Sequence, residues 1–177
     1  MSLCWLQQDD YAFPPLSNAL TDGLLAAGGD LSYGRLLKAY QQGIFPWFNH
    51  DNPILWWSPD PRMVLYTDQV NVSKSLRRTL RKMPYRISFD CAFQDVMQAC
   101  AVPRQASDSL QEGTWIHPEM VNAYTELHQR GYAHSVECWE GERLVGGLYG
   151  VAIGRVFFGE SMFSVARDSS KIALVTL

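Results

Sequence analysis

The residue best suited to do chemistry in this sequence is Glu160, a carboxylate inserted in an apolar run. It lies between Phe157 and Phe163, in the segment FFGESMFS. Burying an ionised carboxylate among such side chains is costly unless the charge has a partner, and an amine or another cation would provide one. The pattern predicts a functional site around Glu160, with an apolar pocket beside it lined by strand residues such as Leu148 and Phe157.

A second group of candidate residues is basic. Residues 70–83 contain five cations and no acidic residue, although the whole chain carries a net charge of −3. At helical spacing, four of these cations share one face, away from Leu76 and Leu80: Lys74, Arg78, Arg81 and Lys82. Such a face suits phosphates. The alternative interpretation is an ordinary solvated helix face.

Segment 43–62 combines aromatic residues with prolines. It contains three tryptophans, two phenylalanines and four prolines. Because proline fixes the backbone and removes a hydrogen-bond donor, a single regular element is excluded. A small aromatic core and a surface of displayed rings both remain open. Trp47 is the better candidate for a stacking surface, and Trp115 is another.

Other chemistries are disfavoured by the sequence. The histidines and cysteines have no zinc-site spacing, and the four cysteines are expected to be buried free thiols. The glycine and serine motifs of serine hydrolases, P-loop proteins and Rossmann folds are missing. No apolar run approaches the ~20 residues of a membrane span, and the first residues do not resemble a signal peptide.

A hairpin is the clearest element of the scaffold. Residues 144–153 and 155–163 form two apolar arms joined at Gly154, which indicates a tight antiparallel turn. Four glycines would weaken these strands: Gly146, Gly147, Gly150 and Gly159. We expect them to mark a bulge or a close approach to the backbone, with a ligand as the favoured neighbour.

The remaining pattern predicts the order of elements. A helix over 33–42 ends at Gly43. Beyond a domain boundary near Arg62 and the basic helix, we expect a strand at 85–89, helices at 92–101 and from Pro118, a strand at 132–139, the hairpin and a final helix from Lys171. Residues 102–114 read as a polar loop.

The order β-α-α-β-β-β-α is that of the first half of an N-acyltransferase (GNAT) fold. We therefore predict a mixed α+β chain, with a small N-terminal domain at 1–62 and a GNAT-like domain at 63–177 that is incomplete at its C-terminal end. Coenzyme A is disfavoured because the loop 165–170 has no glycine to cradle its phosphates. The features together suggest a hydrophobic aminoacyl group carried on RNA, and an amine acceptor.

Several long motifs strongly resemble the leucyl/phenylalanyl-tRNA–protein transferase family. They are GLLAAGGDLS (23–32), AYQQGIFPWF (39–48), ILWWSPDPR (54–62), EGTWI (112–116), AHSVECWEGERLVGGLYG (133–150) and FFGESMFS (157–164). The resemblance implies transfer of Leu or Phe, with Met as a further option, from aminoacyl-tRNA to proteins that begin with Arg or Lys. These proteins are thereby marked for N-end-rule degradation. It also implies a cytoplasmic monomer without metal or other cofactor.

The resemblance further implies roles for individual residues. Glu160 would orient the reacting amine or the ribose end, and Trp47 and Trp115 would contact the terminal adenosine. The other implied contacts are Leu148, Phe157 and Leu174 to the Leu or Phe side chain, and Lys74, Arg78, Arg81 and Lys82 to the tRNA acceptor stem.

One departure from the family pattern limits this expectation. The acidic residue and the glutamine proposed to activate the amine lie after the last helix in the family, and no position here matches them. We therefore expect these 177 residues to be weakly active or inactive alone. The alternatives are a non-catalytic aminoacyl-tRNA-binding fragment and an ordinary GNAT acetyltransferase.

Overall fold

The computed structural model describes residues 3–102 and 114–177, which form two compact units. The first unit contains residues 3–63 and 114–123, and the second contains residues 64–102 and 124–177. Helices and strands occur in both units, so the predicted mixed α+β class is confirmed. The predicted loop at 102–114 lies almost wholly outside the described residues, and the domains 1–62 and 63–177 stay a prediction.

The first unit contains a four-stranded sheet, the helix that follows its second strand, a short 3-10 helix (Leu16–Asn18) and residues 118–123 of a helix that continues into the second unit. Its strands are β1 (Cys4–Leu6), β2 (Leu24–Gly28), β3 (Phe45–Pro46) and β4 (Leu55–Trp57), in the spatial order β1-β2-β4-β3. The β1–β2 pair is parallel, and the other two pairs are antiparallel. Helix α1 (Tyr33–Gln41) follows β2 and buries Leu36, Ala39 and Tyr40, so the helix predicted at 33–42 is confirmed.

A buried tryptophan and a buried arginine hold this unit together. Trp56 is fully buried in β4, and its indole N–H donates to the Gly28 carbonyl at 2.9 Å. The Arg35 guanidinium, also fully buried, donates to the Gln7 and Gln8 carbonyls and lies 3.2 Å from Asp30 Oδ2. Part of segment 43–62 therefore belongs to the core. This agrees with the interpretation of its aromatic residues as a small aromatic core.

The second unit is an antiparallel sheet with helices on both faces. Its elements are α2 (Lys74–Lys82), β5 (Arg86–Phe89), α3 (Phe93–Ala101), α4 (Pro118–Gln129, of which residues from 124 belong here), β6 (Ala133–Glu140), β7 (Arg143–Ile153), β8 (Val156–Ser164) and α5 (Ser169–Thr176). The strands lie in the order β5-β6-β7-β8. From β5 onward, the predicted order β-α-α-β-β-β-α is confirmed. The GNAT assignment stays a prediction that is compatible with this order.

Neighbouring glycines of β7 show how the two helical layers pack. A Cβ at Gly147 would lie 3.3 Å from Val96 of α3, whereas a Cβ at Gly146 would overlap Ser169 of α5. Successive strand residues face opposite sides of a sheet. The sheet therefore lies between α3 and α5.

The face toward α5 carries an apolar cluster built from Leu76, Val136, Cys138, Val145, Leu148, Ile172 and Ala173. Ser169 anchors α5 to this face, because its hydroxyl donates to the Val145 carbonyl at 2.9 Å. The Cys138 thiol donates to the Ser169 carbonyl at 3.1 Å, and burial raises the pKa of this thiol to about 11. Cys4 and Cys91 are exposed, so the expectation that the free thiols are buried is wrong for these two.

A buried carboxylate links β5, β6 and α3. Glu137 is fully buried, and its oxygens accept hydrogen bonds from the hydroxyls of Ser88 and Ser135 at 2.5 Å. The Ala92 N–H at the start of α3 also points to Glu137, at 3.4 Å. Because a buried charge needs such donors, this network fixes the start of α3 against the sheet.

The hairpin glycines have two structural explanations. The absence of a side chain at Gly146 leaves room for Ser169. At Gly150 it leaves room for the Phe157 ring, which would lie 2.5 Å from a Cβ added there. The register of the hairpin also shifts beside Gly150, so the predicted bulge is confirmed. The close neighbours of these two glycines are atoms of this chain, including the Phe158 backbone oxygen, which a Cβ added at Gly150 would overlap, and the favoured expectation of a ligand is wrong for them. No helix in the two described ranges is long and apolar enough to cross a membrane.

Replacing Gly146 tests the packing of α5. We expect Gly146→Ala to lower the free energy of unfolding by about 1–3 kcal/mol, because the new methyl overlaps the side chain and backbone of Ser169. Gly159→Ala is the matched control, since the nearest atom to its Cβ lies at 4.0 Å. Urea unfolding followed by circular dichroism measures both. Equal losses in the two variants would contradict the packing described for Gly146.

Candidate functional site

Glu160 is the extra residue of a β-bulge. Tyr149 lies opposite Ser161 and Gly150 lies opposite Gly159, so Glu160 has no partner residue on β7. A bulge of this kind redirects a side chain without ending the strand. Glu160 is therefore partly buried on β8 and directed differently from its neighbours in the regular ladder.

Two tyrosines surround this carboxylate. The Tyr124 hydroxyl of α4 donates to Glu160 Oε2 at 3.5 Å, a long hydrogen bond. The Tyr124 and Tyr149 rings meet edge to face, with centroids 6.0 Å apart. Burial, together with the negative charge of Glu160, raises the pKa of Tyr149 well above its usual value. The Tyr149 phenol is therefore uncharged at neutral pH and can donate a hydrogen bond.

The predicted pocket residues Leu148 and Phe157 lie together. Leu148 is 3% exposed in the cluster that faces α5, and Phe157 packs against that cluster. Leu174 is 38% exposed on α5, whereas its neighbours Ile172 and Ala173 belong to the cluster. The structure thus unites Leu148 and Phe157 in core packing, and their role in lining an aminoacyl pocket stays a prediction.

An open apolar groove of the second unit has a different lining. It has a volume of about 200 Å³ and lies where α2, β5 and α5 meet. Its lining residues are Leu80, Met83, Pro84, Tyr85, Ile87, Phe89, Ile172 and Thr176. None of them was among the predicted site residues.

The segments that carry the two predicted stacking tryptophans meet in the first unit. Trp47 is 47% exposed, and its ring lies 5.6 Å from the ring of Trp57, which donates its indole N–H to the Trp47 carbonyl at 2.7 Å. The next residue, Phe48, packs edge to face on His117, with centroids 4.8 Å apart. Trp115 is half-buried two residues before His117. The exposure of Trp47 is compatible with stacking on a base.

His117 is a buried imidazole without a hydrogen-bond partner. It is 5% exposed, and neither ring nitrogen is bonded to any described residue. Burial lowers the pKa of His117; the charge of Glu119 opposes this shift, and the neighbouring His50 adds a smaller lowering. The ring is therefore neutral at physiological pH and lies between Phe48 and His50.

The predicted basic face is present on α2. Ser73 caps the helix by accepting the Leu76 N–H at 3.2 Å, and Leu76 turns toward the core. The four predicted cations, Lys74, Arg78, Arg81 and Lys82, are all exposed. Within the described part of the chain, none of the four pairs with an acidic side chain. They are therefore available to bind an anionic partner.

The described residues contain no cluster of three or more histidine, cysteine or acidic side chains that could hold a metal ion. The predicted site residues and their neighbours offer a carboxylate beside two phenols, one of which donates to it, an apolar cluster and a basic helix in the second unit, and an exposed tryptophan in the first. These groups can orient an amine, hold an apolar side chain, bind phosphates and stack on a base.

Sequence reasoning missed the two tyrosines and His117 as site residues. Tyr124 falls on the packing face of its helix together with Val121 and Leu127, so its periodicity predicts core only. Tyr149 lies in an apolar strand, where the pattern likewise predicts a core residue only. No sequence pattern indicates that Tyr124 or Tyr149 lies near Glu160, because this proximity depends on the register of the hairpin. His117 directly follows the motif of Trp115, and this adjacency could have indicated it.

Comparisons with known proteins define the class. A family model described as leucyl/phenylalanyl-tRNA protein transferase matches residues 64–177, and one described as the N-terminal domain of that transferase matches residues 29–60. The larger match alone covers more than half of the chain. With the mixed α+β fold and the basic helix, these matches place the chain among the tRNA–protein transferases.

Curated relatives give the family. A leucyl/phenylalanyl-tRNA–protein transferase of Nitrosomonas eutropha is 65% identical over 95% of this chain and 71% of its own length. Proteins of the same name from Nitrosomonas europaea and Ectopseudomonas mendocina are 64% and 57% identical, over 95% and 99% of this chain and 70% and 76% of their own lengths. The chain belongs to the leucyl/phenylalanyl-tRNA–protein transferase family.

The buried imidazole makes stability depend on pH. Because the folded pKa of His117 lies below its unfolded value of about 6.5, the unfolded state binds the proton more readily. Stability from this residue is complete above pH 6.5 and falls as the pH drops below it. We expect His117→Phe to flatten the loss of unfolding free energy between pH 7.5 and 5.5.

The matched control is His50→Gln, because His50 is exposed. Urea unfolding followed by tryptophan fluorescence at several pH values gives the slope for each protein. We expect His50→Gln to keep most of the pH dependence, because burial is the larger cause of the low pKa of His117 and the His50 charge adds only a smaller part. An unchanged slope in His117→Phe would show that His117 does not titrate as described.

Proposed function

We propose that this chain transfers Leu or Phe from aminoacyl-tRNA to the N-terminal Arg or Lys of proteins, which are thereby marked for N-end-rule degradation. The observation that carries the proposal is the match of both family models, which together span residues 29–60 and 64–177. The exposed, unpaired cations of α2 support the RNA partner. The donor is an RNA, so the proposed setting is the cytoplasm, where we expect a monomer.

The reaction is an aminolysis of an ester. The α-amine of the acceptor protein attacks the carbonyl carbon that joins the amino acid to the terminal ribose. A new amide C–N bond forms, the ester C–O bond breaks, the amine loses a proton and the ribose hydroxyl leaves with one. No cofactor is needed for this balance, because the ester is already activated.

The proposed role of Glu160 is to orient the amine or the ribose end. A carboxylate held by phenol donors attracts an ammonium group and can accept a hydrogen bond from an amine. Leu148, Phe157 and Leu174 are proposed to contact the apolar side chain of the donor, and Trp47 and Trp115 its terminal adenosine. Holding both reactants in place can supply much of the rate of such a reaction.

A transfer assay tests the proposal directly. The chain is mixed with Phe-tRNA or Leu-tRNA carrying a labelled amino acid and with a peptide that begins with Arg. We expect label to appear at a low rate in the Arg peptide and in a Lys peptide, and much less in the same peptide beginning with Ala. Binding of Phe-tRNA without transfer would contradict catalysis by this chain, and would favour a binding role.

Charge reversal on α2 tests the proposed RNA contact. We expect Arg78→Glu with Arg81→Glu to weaken Phe-tRNA binding at least tenfold at low salt, and to reduce the salt dependence of log K by about 0.7–0.9 for each lost phosphate contact. Arg143→Glu is the control, since it reverses an exposed charge at the start of β7 in the same unit. Filter binding at several salt concentrations measures both. Equal losses would indicate a general charge effect instead of a site on α2.

A further inference from the structure

Tyr149 carries a buried hydroxyl that has no hydrogen-bond partner among the described residues. Its side chain is fully buried, with its ring edge-on to Phe93 at 5.8 Å and to Tyr124 at 6.0 Å. A buried donor that loses water and gains no protein partner weakens the fold. Because a phenylalanine would fill the same space without that loss, packing does not explain the hydroxyl.

The hydroxyl belongs to the surroundings of Glu160. Tyr149 is opposite Ser161 in the register, directly beside the bulge that contains Glu160. Tyr124 approaches the same carboxylate from α4 and already donates to Oε2. Two phenols from different elements thus lie around one carboxylate, and one of them has no present acceptor.

The titratable groups around this pair support the assignment of Tyr149 as a donor. They are Tyr124 and His128 from α4, Cys100 from α3 and Glu160 from β8; His128 stacks on Phe93, which contacts Tyr149. Burial, then the charge of Glu160, then Cys100, raise the pKa of Tyr149. The Tyr149 phenol therefore keeps its proton at neutral pH.

We propose that Tyr149 is a positioning residue for Glu160. The Tyr149 hydroxyl becomes the second phenol donor to the carboxylate, beside Tyr124, when Glu160 receives the amine. That an amine arrives at Glu160 rests on the proposed function. That two phenols lie near its carboxylate rests on the geometry described above. The two hydrogen bonds, from Tyr124 and Tyr149, stabilise the ionised carboxylate and fix its orientation. Without Tyr149, the carboxylate lacks this donor.

Tyr149→Phe separates this role from a structural one. We expect the Tm of the variant to equal or exceed that of the unchanged chain, because an unsatisfied hydroxyl is removed. We also expect kcat for Phe transfer to fall about tenfold through the looser geometry of Glu160, with KM for Phe-tRNA unchanged. The acid limb of the kcat profile should move to higher pH, since a carboxylate that loses a donor is protonated more readily.

A second measurement does not depend on transfer. Carbon-13 NMR of labelled glutamate side chains, recorded with a saturating unlabelled peptide that begins with Arg as the source of the amine, follows the titration of Glu160, identified by the signal that disappears in Glu160→Gln. We expect the midpoint of Glu160 to rise by about half a pH unit or more in Tyr149→Phe. Tyr85→Phe is the matched control, because its hydroxyl donates to the Arg167 carbonyl at 2.9 Å, so it should lose stability and leave the Glu160 titration unchanged.

The two measurements distinguish the two proposals. If the unchanged chain transfers no amino acid, the proposed function fails, and the NMR titration still decides the role of Tyr149. A Glu160 midpoint that is the same in Tyr149→Phe and in the unchanged chain overturns the positioning role, whatever the transfer rate. A lower Tm of Tyr149→Phe overturns it as well, because the hydroxyl would then stabilise the fold.

Discussion

The close approach of α5 to β7 at Gly146 is the contact on which the second unit depends. Only a residue without a side chain lets the Ser169 hydroxyl reach the Val145 carbonyl. This contact brings Ile172 and Ala173 onto Leu148 and closes the apolar cluster. The strands that carry Leu148, Phe157 and Glu160 are thus fixed by a helix on one face and by α3 on the other. The site residues of this unit depend on a glycine that does no chemistry.

Charge is distributed unevenly in the second unit. The chain as a whole is acidic, yet α2 presents exposed cations that no acidic side chain of the described residues neutralises. The buried acid Glu137 is fully occupied by hydroxyl and amide donors, whereas Glu160 is only partly buried in a bulge. The same residue type therefore serves packing in one strand, and in the proposed function it orients a reactant two strands away.

The order of the elements was predictable from the sequence, because strands and helices here have regular periods and clear glycine or proline boundaries. The helices beginning at Tyr33 and Pro118 and the turn at Gly154 are examples. The basic face of α2 was predictable for the same reason, since it needs only helical spacing. The small aromatic segment was ambiguous: Trp56 became core and Trp47 stayed exposed, a distinction that depends on the pairing of β3 with β4.

What the sequence could not provide is register. One extra residue in β8 decides that Glu160 leaves the ladder and meets Tyr124, and no local propensity specifies that residue. The explanation of the hairpin glycines failed in part for a related reason. A glycine signals that something comes close, but the chain itself supplied Ser169 and the Phe157 ring as the neighbours of Gly146 and Gly150.

Cys138 has a practical consequence for studying this molecule. Its thiol is buried under α5 and has a pKa of about 11, so alkylating reagents meet almost no thiolate in the closed state. Cys4 and Cys91 are exposed and should be labelled first. Slow modification of Cys138 would then report how often α5 lifts from the sheet, a local opening that global unfolding curves do not resolve. Cys138 is thus a built-in probe of the opening of α5.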